Sequence, residues 1–200
     1  ELASLFDAAW LTAASLPMPH NKLEKWRWLD FSQIGLAEAA VCTNLQLKLE
    51  VELHPVEGEF AGIKRDLPEG VVISTFGEAL RSHPELIVRL MKRINNPTAE
   101  KFHSLAEALA REGLFVFVPR GVKVDGVAVA KLHGEMNAGM TATRTIIWLE
   151  AGAEFKFVLD FQSEVPATAS ALFHIAKTDL VIDENARLHF SDVSIFKQQV

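Results

Sequence analysis

The residues able to carry chemistry in this chain are few and widely spaced. His133-Gly134-Glu135 has the His-x-Glu form in which an imidazole binds zinc and a carboxylate moves a proton. That chemistry also requires a Pro-Cys-x-x-Cys pair, and Cys42 is the only cysteine. His133 is therefore read as a loop residue beside Gly134. His174 and His189 lie in strand-like stretches. A transition-metal site asks for three or four ligands at fixed geometry, so both are read as hydrogen-bonded structural residues. No His-x-His pair followed by Glu supports a cupin-like metal centre, and neither a Gly-x-x-x-x-Gly-Lys-Ser/Thr loop nor a Gly-x-Gly-x-x-Gly fingerprint is present. No catalytic, cofactor-binding or metal-ligating residue is assigned, and the chain is expected not to be an enzyme.

Three further groups have structural readings. Cys42, next to an alternating strand, reads as a small buried apolar residue. Trp26 and Trp28 could anchor a partner, but the simpler expectation is that they pack an N-terminal helix against the strand running from Val41 to Leu53. Glu50, Glu52, Glu57 and Glu59 read as a solvated strand face.

Composition narrows the function classes. Two hundred residues with 49% hydrophobic content are enough for a substantial core. The net charge is −6 with no basic stripe, which argues against a nucleic-acid groove. The longest apolar runs, Leu114 to Val118 and Thr145 to Leu149, are far shorter than the ~20 residues of a spanning helix. No basic segment precedes an apolar core at the start. With a single cysteine there is no internal disulfide framework, and a cytoplasmic setting is expected.

Several elements must position whatever this chain presents. Leu2, Leu5, Phe6, Ala9, Trp10, Ala13 and Leu16 share a helical face that Pro17 and Pro19 end. Leu45, Leu47, Leu49, Val51 and Leu53 alternate with polar residues, as in a half-buried strand. Thr75-Phe76-Gly77-Glu78 and Ser82-His83-Pro84-Glu85 both read as capping boxes. A third helix is expected over about Ala99 to Glu112, with Gly113 at its C′ position. After Gly113 the helical period disappears. Val118-Pro119-Arg120-Gly121, Leu149-Glu150-Ala151-Gly152 and Ile182-Asp183-Glu184-Asn185 then recur at offsets of 31 and 33 residues. Each is an apolar strand end and a polar corner closing on Gly or Asn, residues that accept positive φ. Such a repeat suits a β-solenoid, whose coils bury themselves on their neighbours; a sandwich or jelly roll gives similar spacing.

Four segments, in order, resemble the SufB/SufD family of iron–sulfur cluster assembly proteins, and its SufD branch in particular. They are Glu24-Lys25-Trp26-Arg27-Trp28-Leu29-Asp30-Phe31; Gly70 to Ser74 with Glu78-Ala79-Leu80 and His83-Pro84-Glu85-Leu86; Lys101 to Leu105 followed by Gly113 to Val122; and Arg144 to Glu150 with Gly152-Ala153. Trp28 stands where the family commonly has tyrosine. The resemblance implies a right-handed parallel β-helix core, with an α-rich, β-containing N-terminal domain over residues 1–112 and the first coils over 113–200. It also implies a non-catalytic scaffold subunit supporting cluster assembly and iron acquisition. The partners would be a homologous SufB-like subunit and a SufC-like ABC-type ATPase, without nucleic acid or membrane insertion. A complete iron–sulfur cluster usually takes four thiolates, so no cofactor is expected on this chain alone; the cluster would be assembled transiently in the complex. The last strand-like run has no closing cap, and the chain is expected to be a fragment of a longer protein.

The rival is a free-standing β-helix protein that binds or processes polysaccharide. That chemistry needs acidic residues converging on one sheet face, whereas Asp160, Asp179, Asp183 and Asp192 are expected at turns or scattered phases.

Overall fold

The computed structural model describes residues 2–28, 45–54, 66–94, 100–135, 139–165 and 172–198. The described residues are mostly strand with some helix, in two mixed four-stranded sheets. Helix α1 spans Leu2–Ser15 and stops before Pro17; a short 3-10 turn, Glu24–Trp26, follows. Strand β1 is Leu47–His54 and β2 is Val72–Thr75. Helices α2 (Phe76–Ser82), α3 (Pro84–Ile94) and α4 (Lys101–Leu109) come next. Six strands complete the order: β3 (Glu112–Val118), β4 (Val127–Glu135), β5 (Gly139–Leu149), β6 (Glu154–Val165), β7 (Leu172–Ile182) and β8 (Arg187–Gln198). No helix among the described residues is long and apolar enough to cross a membrane.

From β3 onward, successive strands alternate between the sheets. The first sheet runs β2-β3-β5-β7 and the second β1-β4-β6-β8, each later strand parallel to the strand two before it. The corners at the β3, β5 and β7 strand ends lie in register, Val118 opposite Leu149 and Leu149 opposite Ile182. Gly121, Gly152 and Asn185 turn them at φ of 73°, 73° and 57°, as their spacing predicts. The corners also bond to one another: the Gly121 N–H donates to Ala151 O at 3.0 Å and the Gly152 N–H to Glu184 O at 2.9 Å. At the other edge, β1 and β2 run antiparallel to β4 and β3.

The alternation read from Leu45 to Leu53 sets the face of β1. Leu53 is buried opposite Ala128 in a core between the sheets that includes Val116, Ile147, Phe157 and Leu159. Phe157 stacks on Phe155 and Phe190, at 5.4 and 6.0 Å between centroids. Two helical modules cover the outer side of the first sheet. Phe76 of α2 and Ile87, Leu90 and Met91 of α3 pack on Phe115, Ile146 and Trp148. Leu105 and Ala106 of α4, with Ala13 of α1, pack on Met140, Ala142 and Ile175.

Helix ends follow local chemistry, with three departures from the sequence reading. The Glu78 N–H donates to Thr75 Oγ1 at 3.2 Å, so Thr75 caps α2. Thr75→Ala should cost about 1 kcal/mol, read as a lower urea midpoint at unchanged slope. Ser82 does not open α3; it is the last residue of α2, and Pro84 starts α3 because a first helical residue needs no N–H partner. Helix α4 ends at Leu109, before Gly113. Gly113 lies in β3 at φ 137°, where a Cβ would strike the Arg144 backbone. Trp28 does not pack between helix and strand: it is 83% exposed, with the Arg27 guanidinium 4.8 Å from its ring.

Candidate functional site

The residues singled out in the sequence do not converge on one centre. His133 and Glu135 sit at the end of β4, opposite Gln162 and Glu164 of β6. With Lys48 and Lys197 they line a groove of about 540 Å³ at that edge of the second sheet. Glu164 lies in register between Glu135 and Lys197, next to one like and one opposite charge. This is a polar surface carrying charges of both signs. His189 is exposed on β8. Cys42, Glu57, Glu59 and the Trp26 side chain lie outside the described residues.

His174 is held inside the stack. Its Nδ1 lies 2.9 Å from Thr141 Oγ1 and its Nε2 3.2 Å from Thr143 Oγ1, so one nitrogen donates and the other accepts. Phe161 stacks on the ring at 5.8 Å and Phe196 tilts against it at 5.6 Å. Burial in these surroundings pushes its pKa down to about 4, so the imidazole is neutral at physiological pH.

The four aspartates are dispersed. Asp160 accepts from Gln162 Nε2 on β6, Asp192 from the Ser194 hydroxyl on β8, and Asp183 stands at a corner. Among the described residues no group of three or more His, Cys, Asp or Glu is placed to hold a metal ion.

Two charged clusters were not read from the sequence. At the corners, Arg89 and Arg93 of α3 reach Glu150 and Asp183 at 3.0 and 2.5 Å, tying the helix to two successive layers. Both guanidiniums lie over the Trp148 ring, at 4.4 and 5.3 Å. The hydrogen bond from Arg93 holds the Asp183 carboxyl below its usual range, and the Trp148 indole N–H adds to this. Under α4, Arg144 and Lys177 are register neighbours on β5 and β7. Asp179 accepts from Arg144 Nε at 2.7 Å and lies 2.9 Å from Lys177 Nζ; Glu107 accepts from Lys177 at 2.9 Å. The only local signal was polar residues on the phase of Ile175 and Val181, and their partners come from distant segments.

Residues 56–128 match the family model described as SufBD protein N-terminal region. An iron-sulfur cluster assembly SufBD family protein of Synechocystis is 31% identical over 128 residues, covering 62% of this chain and 26% of that protein. SufBD family proteins of Staphylococcus saprophyticus and Staphylococcus haemolyticus are 24% and 25% identical over 176 residues, covering 85% of this chain and 36% of each relative. The chain therefore spans about a quarter to a third of the length of the curated relatives it matches. Over these stretches the chain is similar to SufB/SufD family proteins, and the matches do not separate the SufD branch from the rest.

Proposed function

We propose that this chain serves iron–sulfur cluster assembly as a non-catalytic scaffold element of the SufD type. The observation that carries the reading is the match of residues 56–128 to the SufBD N-terminal region, alongside relatives named for cluster assembly. In this reading the two-sheet stack is the start of a right-handed parallel β-helix. Its support is the parallel pairing of β3, β5 and β7 and of β4, β6 and β8, with corners bonded layer to layer. The protein works in the cytoplasm beside a homologous SufB-like subunit and a SufC-like ABC-type ATPase, which hydrolyses the ATP. The chain holds no resident cofactor, and the cluster is cargo assembled in the complex. The polysaccharide alternative is not favoured, because its acidic residues lie on different strands, faces and corners.

The test is affinity capture of the native gene product from its own cells, with mass spectrometry. Recovery of an ABC-type ATPase together with a homologous SufBD protein is the expected outcome. Recovery of neither, from a correctly folded bait, overturns the reading. Stoichiometric iron on the isolated chain, purified without oxygen, would contradict the absence of a resident site.

A further inference from the structure

The charges beneath α4 are placed so that one of them stands apart in origin. Arg144 and Lys177 are neighbours across β5 and β7, two cations held side by side. Asp179 belongs to β7 and remains with them whatever α4 does. The second counter-charge, Glu107, comes from the helix, with Oε1 at 2.9 Å from Lys177 Nζ and 3.7 Å from Arg144 Nη2. Arg144 is 2% exposed and its Nη2 is without a hydrogen-bond partner, so the site has a donor left over at the position of the helix carboxylate. His103, one turn before Glu107, lies 3.3 Å from the same oxygen.

The apolar contacts around this centre combine small and large side chains. Ala106, Ala110, Ala142 and Ala13 share the apolar seam with Leu105, Met140 and Ile175, and Phe102 and Leu109 of α4 pack on it with Phe173, the two phenyl rings 5.6 Å apart. The polar centre adds to these apolar contacts and to the hydrogen bonds from Lys101 Nζ to Ala13 O and Leu16 O, at 2.7 and 3.0 Å. Removing one partner of a buried charge group leaves the others uncompensated, a far larger effect than loss of an exposed pair.

We propose that Arg144 and Lys177 form a carboxylate-binding site, occupied here by Glu107, with α4 as its latched cover. When α4 lifts, the site presents two cations against the single carboxylate of Asp179. It then takes the acidic side chain of a protein partner in place of Glu107. The inference stands independently of the role in cluster assembly.

Chemical rescue tests it. The atoms that Glu107→Ala removes amount to one acetate. The variant should melt roughly 10 °C lower than the parent. Sodium acetate should restore part of that shift saturably, while sodium chloride at equal ionic strength does not. Equal effects of the two salts, or an acetate effect of the same size in the parent, overturn the proposal. If the variant does not fold, hydrogen exchange on the parent chain decides. Amides 101–109 should exchange through an opening that leaves 144–149 protected, and faster in acetate than in chloride. Exchange of α4 only together with β5, or at equal rates in the two salts, overturns it.

Discussion

Trp148→Ala should remove about 4 kcal/mol of stability, whereas Trp28→Ala should change it by less than about 0.5 kcal/mol. The two tryptophans differ in environment, not in chemistry. Trp148 is 2% exposed, packed edge-on against Phe117 with centroids 5.1 Å apart and covered by the Arg89 and Arg93 guanidiniums. Its indole N–H donates to Asp183 at 3.4 Å, so the truncation leaves a cavity and also releases the corner carboxylate from one of its donors. The ring that α3 rests on disappears as well, so α3 amides should lose protection before those of β5. Trp28 is largely in water and has little burial to lose. Urea unfolding of both variants checks the contrast; equal losses would mean that Trp28 is covered in solution.

Acidification should weaken the fold through His174. The ordinary imidazole pKa near 6.5 is depressed to about 4 by burial, so between those values the unfolded chain binds a proton that the folded chain refuses. Stability is therefore full above about pH 6.5 and falls as the pH is lowered through the window, by up to about 3 kcal/mol. The groups against the ring are the Thr141 and Thr143 hydroxyls and the Phe161 and Phe196 rings, none of which offers a negative charge to the imidazolium. In His174→Gln, which keeps a donor and an acceptor but does not titrate, the stability–pH curve should be flatter by that amount. Superimposable curves would remove His174 as the cause. His189, exposed on β8, serves as the control substitution.

The features legible in the sequence were those set by a residue's own backbone or by its immediate period. Gly121, Gly152 and Asn185 mark the corners because each needs positive φ, and Leu49 and Val51 with Leu53 mark a face because strands alternate. Thr75 was legible as a cap for the same local reason. Gly113 misled for an equally physical one: glycine after a helix usually closes it, but here it admits a neighbouring backbone. Ser82 misled because two helices abut at His83, leaving no room for a separate cap.

What was not legible is long-range pairing. Residues 1–112 were expected as an N-terminal domain, and nothing local indicates that β1 joins β4 or that β2 joins β3. The Glu107–Lys177 contact likewise joins segments 70 residues apart, and a charged residue in a strand looks solvent-facing until its partner is known.

The corner ladder and the antiparallel edge together give the molecule a direction. Each new layer closes a loop of about thirty residues, so the entropic toll of adding one is nearly the same at every step. The reversed strands β1 and β2 do not offer the parallel edge that β5 offers to β7 or β6 to β8. Parallel extension can therefore run in one sense only among the described strands, each layer offering the next a matching edge while β1 and β2 close the opposite side.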